Sequence, residues 1–369
     1  MNTTLASPPA PSVRSAAPAK PSGKMPQYPV LDGWRAISIL LVLAGHMLPL
    51  GPARYDLNGT VAAMGMSIFF TLSGFLITNT LIYRSSVPQF LIRRFCRILP
   101  LAWLATPIAL LMSHASASAY PAHFLFYANL PPFFLTETSG HLWSLCVEMQ
   151  FYITIAFLFG LFGRRGLWGI PVLSLLVTAA RIATGTKMSI VTYLRADEIL
   201  AGGCLALAID AATRFQMGRR VAQWSALLCL PLFLGALTGR QVAEAYHLPA
   251  GLLYILSWLR PYIAAALVGG TLVGPECALR RWLSTPRLRY IAHTSYAIYI
   301  VHPLTTHGWL GSGSAIVKYA KRPLCFALTF ALAHLSTNYY EAWWIDFGKR
   351  MAGRLSSKPK VRALTANAS

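Results

Sequence analysis

Apolar residues in this chain occur in long runs separated by short basic loops. Each run contains roughly 18 to 22 mostly apolar residues, enough for a helix to cross a hydrocarbon layer of ~30 Å. Hydropathy predicts about ten spans, near residues 36–52, 61–82, 98–114, 142–162, 167–184, 190–210, 221–238, 250–273, 291–311 and 323–345. The pattern therefore predicts an all-α fold, a polytopic bundle of about ten transmembrane helices.

The composition agrees with one membrane domain flanked by two tails. The 369 residues are 55% hydrophobic and only 12% charged, whereas about a quarter of a soluble domain is charged. We place the membrane domain at residues 29–348. Residues 1–28 are rich in Ala, Pro and Ser and lack the apolar core of a signal peptide, which predicts a disordered cytoplasmic tail. Residues 349–369 are basic and predict a second disordered cytoplasmic tail.

The net charge is +21, and the positions of the basic residues indicate the orientation of the chain in the bilayer. The basic residues lie in loops between apolar spans, so we expect no nucleic-acid partner. With both termini in the cytoplasm, most Arg and Lys residues lie on the cytoplasmic side, as the positive-inside rule requires. The Ala- and Arg-rich composition suggests a bacterium with GC-rich DNA, and hence the bacterial inner membrane. The six cysteines form no C-x-x-C pair, so we expect no metal site and no disulfide framework.

The first predicted span, LDGWRAISILLVLAGH, contains two ionisable residues. Arg35 and His46 are eleven positions apart, about 20° from three full helical turns, so they share one helix face. At 1.5 Å per residue, His46 is expected roughly 16 Å deeper than Arg35, halfway along the span and near the bilayer middle. This spacing suits an anion-binding arginine at the cytoplasmic rim and a general base in the membrane. A helix-end arginine and a histidine bonded to a neighbouring helix explain the pair as well.

Two further segments place ionisable groups at the ends of spans. Arg94 and Arg97 in RRFCRILP share a helix face, and arginine forks match phosphate oxygens. An ordinary positive-inside cluster would have the same sequence. Glu148 in HLWSLCVEMQFY lies inside the fourth span, behind an interfacial Trp143. A carboxylate at that depth needs either an arginine partner or a functional role.

The later spans carry candidates for an acceptor site. Arg195 and Asp197 lie near the outer end of the sixth span. Arg195 either forms an ion pair with Asp197 or Glu198, or these groups bind a hydroxyl-rich acceptor from outside. His302 lies in the ninth predicted span and Glu341 late in the tenth. Ionisable groups within a membrane normally face a bundle interior or a wet cavity, so these residues are possible acceptor-binding or supporting groups.

Five blocks of sequence occur in the order typical of one family. They are LDGWRA with its Arg-x10-His pair, FFTLSGFLIT, RRFCRILPLAW, HLWSLCVEMQFY and SYAIYIVHPL. Over roughly residues 29–348 the chain resembles the integral-membrane O-acyltransferases called acyltransferase type 3. The resemblance implies ten helices and transfer of an acyl group, usually acetyl, from cytoplasmic acyl-CoA to a hydroxyl of a carbohydrate or another acceptor.

The resemblance also implies roles for individual residues. The matched positions are Arg35 and His46 (the essential Arg-x10-His pair), Arg94 and Arg97 (the Arg-x-x-Arg motif) and Glu148 (the S-L-x-V-E block). Glu341 sits where members often carry a glutamate late in a helix. We predict that the arginines bind the CoA phosphates and that His46, oriented by Glu148, is the general base. Acyl-CoA is expected as a co-substrate, with no bound cofactor.

The sequence does not identify the acceptor. We favour a surface polysaccharide, exopolysaccharide, O-antigen or lipid-linked glycan, with a macrolide-type secondary metabolite as the alternative. Many family members carry an extracellular hydrolase-like domain, which this sequence does not contain, so we expect direct acylation or a separate periplasmic transferase. A glycolipid transporter or flippase would also use intramembrane His, Arg and Glu. We see none of the internal repeats common in transporters.

Overall fold

Every regular element that the structure describes is helical. The structure is a computed structural model, and it describes residues 28–52, 55–83, 86–215, 229–236, 251–273 and 276–356. In chain order the described helices are α1 (Pro29–Met47), α2 (Leu57–Tyr83), α3 (Val87–Met112), α4 (Ala119–Phe124), α5 (Trp143–Phe162), α6 (Gly169–Ala183), α7 (Asp197–Phe215), α8 (residues 229–236), α9 (Gly251–Val273), α10 (Ala278–Leu283), α11 (Pro286–Val301), α12 (Ala315–Ala320), α13 (Arg322–Leu335) and α14 (Ala342–Ser356).

Five helical stretches of the described chain are long and apolar enough to cross a membrane. They are Pro29–Met47, Leu57–Tyr83, Val87–Met112, Gly140–Ala183 and Ile255–Val273. The predicted all-helical fold with membrane-length segments is thus confirmed for the part of the chain that the structure describes. The count of ten spans and the cytoplasmic position of both termini remain predictions. The N-terminal tail up to residue 27 and most of the predicted span 221–238 lie outside the described residues.

Two helices end earlier than hydropathy predicts because a proline follows each of them. α1 ends at Met47, where Leu48 precedes Pro49 and has extended backbone angles. The placement of His46 halfway along this helix is therefore wrong, because His46 lies in its last turn with an exposed side chain. α11 ends at Val301, two residues before Pro303, instead of continuing to residue 311.

The last described helix extends further than predicted. A π-helical segment, Ser336–Glu341, joins α13 directly to α14, which continues to Ser356 and packs against α3. Residues 349–356 are thus helical, although we placed them in a disordered tail. Lys349 and Arg350 favour helix, and Ala352 is fully buried, which ties this turn to the rest of the protein.

Helix α2 occupies the centre of the bundle and approaches its neighbours through glycine. It packs against α1 on one side and α7 on the other. A Cβ atom added to Gly65 would lie 2.5 Å from the carbonyl oxygen of Ser38, and one added to Gly74 only 1.7 Å from that of Ile199. Small residues let the backbones approach this closely, as is common between membrane helices.

A buried cluster of ion pairs joins four helices around α2. Glu198 contacts Arg195 at 3.1 Å and Arg260 at 2.8 Å, and it accepts a hydrogen bond from Ser67 Oγ at 2.9 Å. Arg181 pairs with Asp197 beside them. We call Arg181, Arg195, Asp197, Glu198 and Arg260 the ion-pair cluster. Because its members are buried and paired with one another, the cluster fixes the arrangement of α2, α6, α7 and α9.

Replacing Gly74 by Ala is expected to destabilise the bundle. The new methyl group would collide with the Ile199 backbone, and overpacking of this kind typically costs about 1–3 kcal/mol or more. Thermal unfolding of the detergent-solubilised protein measures the loss. Gly160→Ala in α5 is the control, since nothing lies within 4 Å of its added Cβ. Equal melting temperatures for the two variants would contradict the close approach of α2 and α7.

Replacing Asp197 by Asn is expected to lower the yield and melting temperature of the folded protein. The change leaves Arg181 buried without its partner, and breaking a buried pair costs about 3–5 kcal/mol. Asp210→Asn on the same helix is the control, because its partner Arg164 is partly exposed and surface pairs contribute at most about 1 kcal/mol. A wild-type melting temperature for the Asp197 variant would contradict a structural role for the cluster.

Candidate active site

A cavity of about 800 Å³ lies between α1, α2, α3, α5, α11 and α14. Its charged lining within the described part of the chain consists of Asp32, Arg35, Arg93, Arg94, Arg97, Glu148, Arg289 and Lys349. Six basic and two acidic side chains around one space create a positive potential that favours an anionic ligand. We call this space the arginine cavity.

Four residues selected from the sequence line the arginine cavity together. Arg35 comes from α1, Arg94 and Arg97 from one face of α3, and Glu148 from α5. Their charges lie close enough to act on one another. A guanidinium group presents a planar fork of N–H donors, so several of them around one space can bind phosphate or carboxylate oxygens.

Two hydroxyl groups hold Glu148 in place at the cavity wall. Its Oε1 atom accepts hydrogen bonds from Ser73 Oγ at 2.8 Å and from Tyr152 OH at 2.5 Å. The Arg94 guanidinium lies over the Tyr152 ring, 5.5 Å from the ring centre. This arrangement fixes the carboxylate beside the arginines, where it can orient a guanidinium or accept a hydrogen bond from a ligand.

Glu341 lies near the arginines, but it does not line the cavity. It is the last residue of the π-helical segment, and its Oε1 atom accepts hydrogen bonds from Ser336 Oγ at 3.1 Å and Thr337 Oγ1 at 3.0 Å. The charge of Arg97 acts on this carboxylate. π-Helical turns are frequent at functional sites, and this one supplies a second buried carboxylate behind Arg97.

The cavity lining changes from basic to less polar along α1. Val42 lies two turns after Arg35, about 10 Å further along the helix axis. At this end Tyr299 of α11 stacks on Phe69, and its hydroxyl lies 2.6 Å from Ser144 Oγ. The arginine cavity therefore suits an elongated ligand with one anionic end and one less polar end.

Two histidines meet one helical turn beyond the less polar end of the cavity. His46 follows Val42 by one turn of α1, and His302 follows Tyr299 by three residues, directly after the end of α11. The His46 Nδ1 and His302 Nε2 atoms are 2.9 Å apart, and we call these residues the histidine pair. The His302 side chain is buried, whereas His46 is exposed. His46 lies close to the cavity, but it is not part of its wall.

A third histidine lies beside the pair. The His141 ring centre is 5.4 Å from that of His302 and 5.3 Å from that of Tyr299. Both of its ring nitrogens are buried. Its backbone carbonyl accepts a hydrogen bond from the Tyr299 hydroxyl, which fixes the segment before α5 against α11.

The outer candidates Arg195, Asp197 and Trp143 do not reach the cavity wall. Arg195 and Asp197 belong to the ion-pair cluster. Of the pairings considered from sequence, Arg195 with Glu198 is the one present. Trp143 stacks beneath the Arg195 guanidinium, with 5.2 Å between the guanidinium carbon and the ring centre, and it also contacts Phe70. These three residues connect the ion-pair cluster to α5.

Sequence reasoning did not select Tyr152, Arg289, Lys349 or His141 for this site. Tyr152 could have been found, because it follows Glu148 by four positions and therefore shares its helix face. Arg289, Lys349 and His141 gave no comparable signal. Arg289 and Lys349 resemble any other basic residues near a span end, and only the packing of α11 and α14 against α3 brings them to the cavity.

Comparison with known proteins places the chain in a family. A family model described as an acyltransferase domain, of the type 3 acyltransferases, matches residues 28–335. The chain is 27% identical to the peptidoglycan O-acetyltransferase OatA of Listeria monocytogenes, over 85% of this chain and 55% of that protein. It is 27% identical to the O-acetyltransferase OatA of Staphylococcus aureus, over 75% of this chain and 50% of that protein.

A third relative is nodulation protein 10 of Rhizobium leguminosarum, with 28% identity over 39% of this chain and 46% of that protein. The chain thus spans about half the length of the curated relatives it matches. No solved structure matches it. The family match covers most of the sequence and nearly all of the helices that form the arginine cavity and the histidine pair. The chain belongs to the acyltransferase type 3 family of integral membrane proteins.

Proposed function

We propose that this protein is an O-acyltransferase that moves an acyl group, in the first place acetyl, from acyl-CoA to a hydroxyl of a carbohydrate. One observation carries the proposal. A cavity lined by arginines leads along α1 to within one helical turn of the histidine pair. An anionic, elongated donor and a base for a hydroxyl acceptor are therefore accommodated at the two ends of one helix.

The donor assignment rests on charge and shape. Coenzyme A carries a diphosphate and a 3′-phosphate at one end and a long, less polar arm ending in the thioester at the other. Arg35, Arg94 and Arg97 would bind the phosphates, with Arg289 and Lys349 adding positive charge from α11 and α14. The arm would then extend past the less polar side chains toward His46.

The proposed chemistry needs one base and a positioned thioester. His46 Nε2 removes the proton from the acceptor hydroxyl, and the oxygen forms a bond with the carbonyl carbon of the thioester. The carbon–sulfur bond breaks, and the CoA thiolate leaves and takes up the proton from His46. General base catalysis and positioning are the only catalytic effects that this transfer requires, because a thioester is already an activated acyl donor.

The acceptor is inferred from the relatives. Two of them are named as O-acetyltransferases, one of peptidoglycan, which favours a glycan hydroxyl over a macrolide-type acceptor. We propose a multi-pass protein of the bacterial inner membrane, with acyl-CoA on the cytoplasmic side and a surface or lipid-linked glycan on the other. The same proposal includes a membrane domain that begins at residue 29 and contains α14 to Ser356, with a separate periplasmic transferase as a partner.

Replacing Arg289 by Gln is expected to weaken CoA binding about tenfold, because a charge-assisted hydrogen bond to phosphate contributes roughly 1.5–3 kcal/mol. Arg287→Gln is the matched control, since Arg287 lies two residues away on α11 and is exposed outside the cavity lining. Isothermal titration of CoA into the purified protein measures both. Equal weakening in the two variants would indicate attraction by general surface charge and contradict a phosphate site in the cavity.

Replacing His46 by Ala is expected to lower the rate of acetyl transfer by about 10²- to 10⁴-fold while CoA binding persists, because the general base is removed. Arg35→Ala should instead weaken binding of acetyl-CoA. CoA release from labelled acetyl-CoA, measured with a panel of glycan acceptors, separates these effects. Full transfer activity of folded His46→Ala would refute the assignment of the base. Acceptor movement across the membrane without CoA release would favour a transporter.

A further inference from the structure

We propose that His302 is a positioning residue that sets the tautomer of His46, so that the His46 Nε2 atom carries the free lone pair. This inference rests on the proposed function and names a part that the family match does not assign. It stands on a chain of two contacts that starts at a backbone carbonyl of α11 and ends at the exposed ring of His46.

The first contact fixes the proton on His302. Its Nδ1 atom lies 2.8 Å from the carbonyl oxygen of Tyr299 and 3.3 Å from that of Ile298. A carbonyl oxygen only accepts hydrogen bonds, so Nδ1 must carry the proton and donate it. In a neutral imidazole the other nitrogen then has the lone pair, and His302 Nε2 is therefore an acceptor.

The second contact passes this assignment to His46. The His46 Nδ1 atom lies 2.9 Å from His302 Nε2, so it must donate. The proton of neutral His46 is thereby held on Nδ1, and Nε2 is left with its lone pair. When Nε2 takes a proton from the acceptor hydroxyl, the bond from Nδ1 to His302 persists and stabilises the charged ring. No proton has to move to His302.

The sequence explains why a carbonyl is free to begin this chain. In a continuing helix the Tyr299 carbonyl would accept the backbone N–H of residue 303. That residue is Pro303, which has no N–H to donate. His302 follows directly after the helix, and its ring occupies the acceptor that proline leaves unpaired. The segment Tyr-Ile-Val-His-Pro therefore places and orients the ring by local geometry.

The burial of the two rings agrees with hydrogen bonds that run from His46 to His302 and from His302 to the backbone. His302 is 1% exposed, whereas the side chain of His46 is accessible to solvent. The protein backbone thus determines which nitrogen of the buried His302 ring carries the proton. The exposed His46 ring presents its unprotonated nitrogen to the surroundings. A buried side chain that fixes the tautomer of a catalytic histidine is the role of the carboxylate in serine hydrolase triads, and here a neutral ring would perform it.

The direct test determines which ring nitrogen of His46 carries the proton. Nitrogen-15 NMR of histidine-labelled protein in lipid nanodiscs, at a pH where both rings are neutral, distinguishes the two tautomers, and the His46→Gln spectrum assigns the signals. Wild type should show His46 with its proton on Nδ1. In His302→Leu this preference should be lost in favour of the Nε2–H form that free imidazole side chains prefer in water.

Kinetics give the second readout. His302→Leu is expected to reduce kcat about ten- to a hundredfold or more, with the KM for acetyl-CoA unchanged, because wrong tautomers are costly at catalytic histidines. His302→Gln offers an amide oxygen that can accept from His46 Nδ1–H, and it should recover much of the rate. CoA binding by each variant shows that it is folded.

Each outcome has a definite meaning. An Nε2–H tautomer of His46 in wild type, or wild-type kcat in His302→Leu, would overturn the inference and leave the proposed function standing. Failure of wild type to release CoA with any acceptor would overturn the proposed function, and the positioning role with it. The expected tautomer shift, together with a kcat loss that Gln repairs, would establish the role.

Discussion

The arrangement depends on helix α1, because this one rigid element fixes the distance between the two ends of the proposed site. Arg35 and His46 lie on the same helix face, with roughly 16 Å between them along the axis. Pro49 ends this helix just after His46, which leaves the ring exposed beside α11. The close packing of α1 on α2 through Gly65, and of α2 on α7 through Gly74, holds α1 against the centre of the bundle.

Buried charge serves two different purposes in this protein. In the ion-pair cluster each carboxylate contacts a guanidinium, so opposite charges satisfy one another and the helices are fixed. In the arginine cavity six basic side chains face two acidic ones across an empty volume of about 800 Å³. The first arrangement needs no ligand, whereas we propose that an anion completes the second. This difference separates the structural arginines of the described chain from those proposed to bind substrate.

The sequence predicted much of the site because its residues share helix faces or neighbouring turns. Arg94 and Arg97 could be placed together from their spacing, and the cost of burying Glu148 marked it as a residue needing partners. The position of His46 was mistaken, because hydropathy does not register the effect of Leu48-Pro49 on the end of a helix. The meeting of His46 with His302, 256 residues later in the chain, depends on helix packing. No local pattern contains that information.

The most direct test asks whether the acyl group passes across the membrane, from a donor on the side of the arginine cavity to an acceptor on the side of the histidine pair. Purified protein would be placed in vesicles of measured orientation, with labelled acetyl-CoA on one side and a glycan acceptor on the other. We predict that label reaches the acceptor only when acetyl-CoA is on the side of the arginine cavity, and that His46→Ala slows this transfer by about 10²- to 10⁴-fold. Label confined to acceptors on the same side as acetyl-CoA would contradict a donor site and a base at opposite ends of α1.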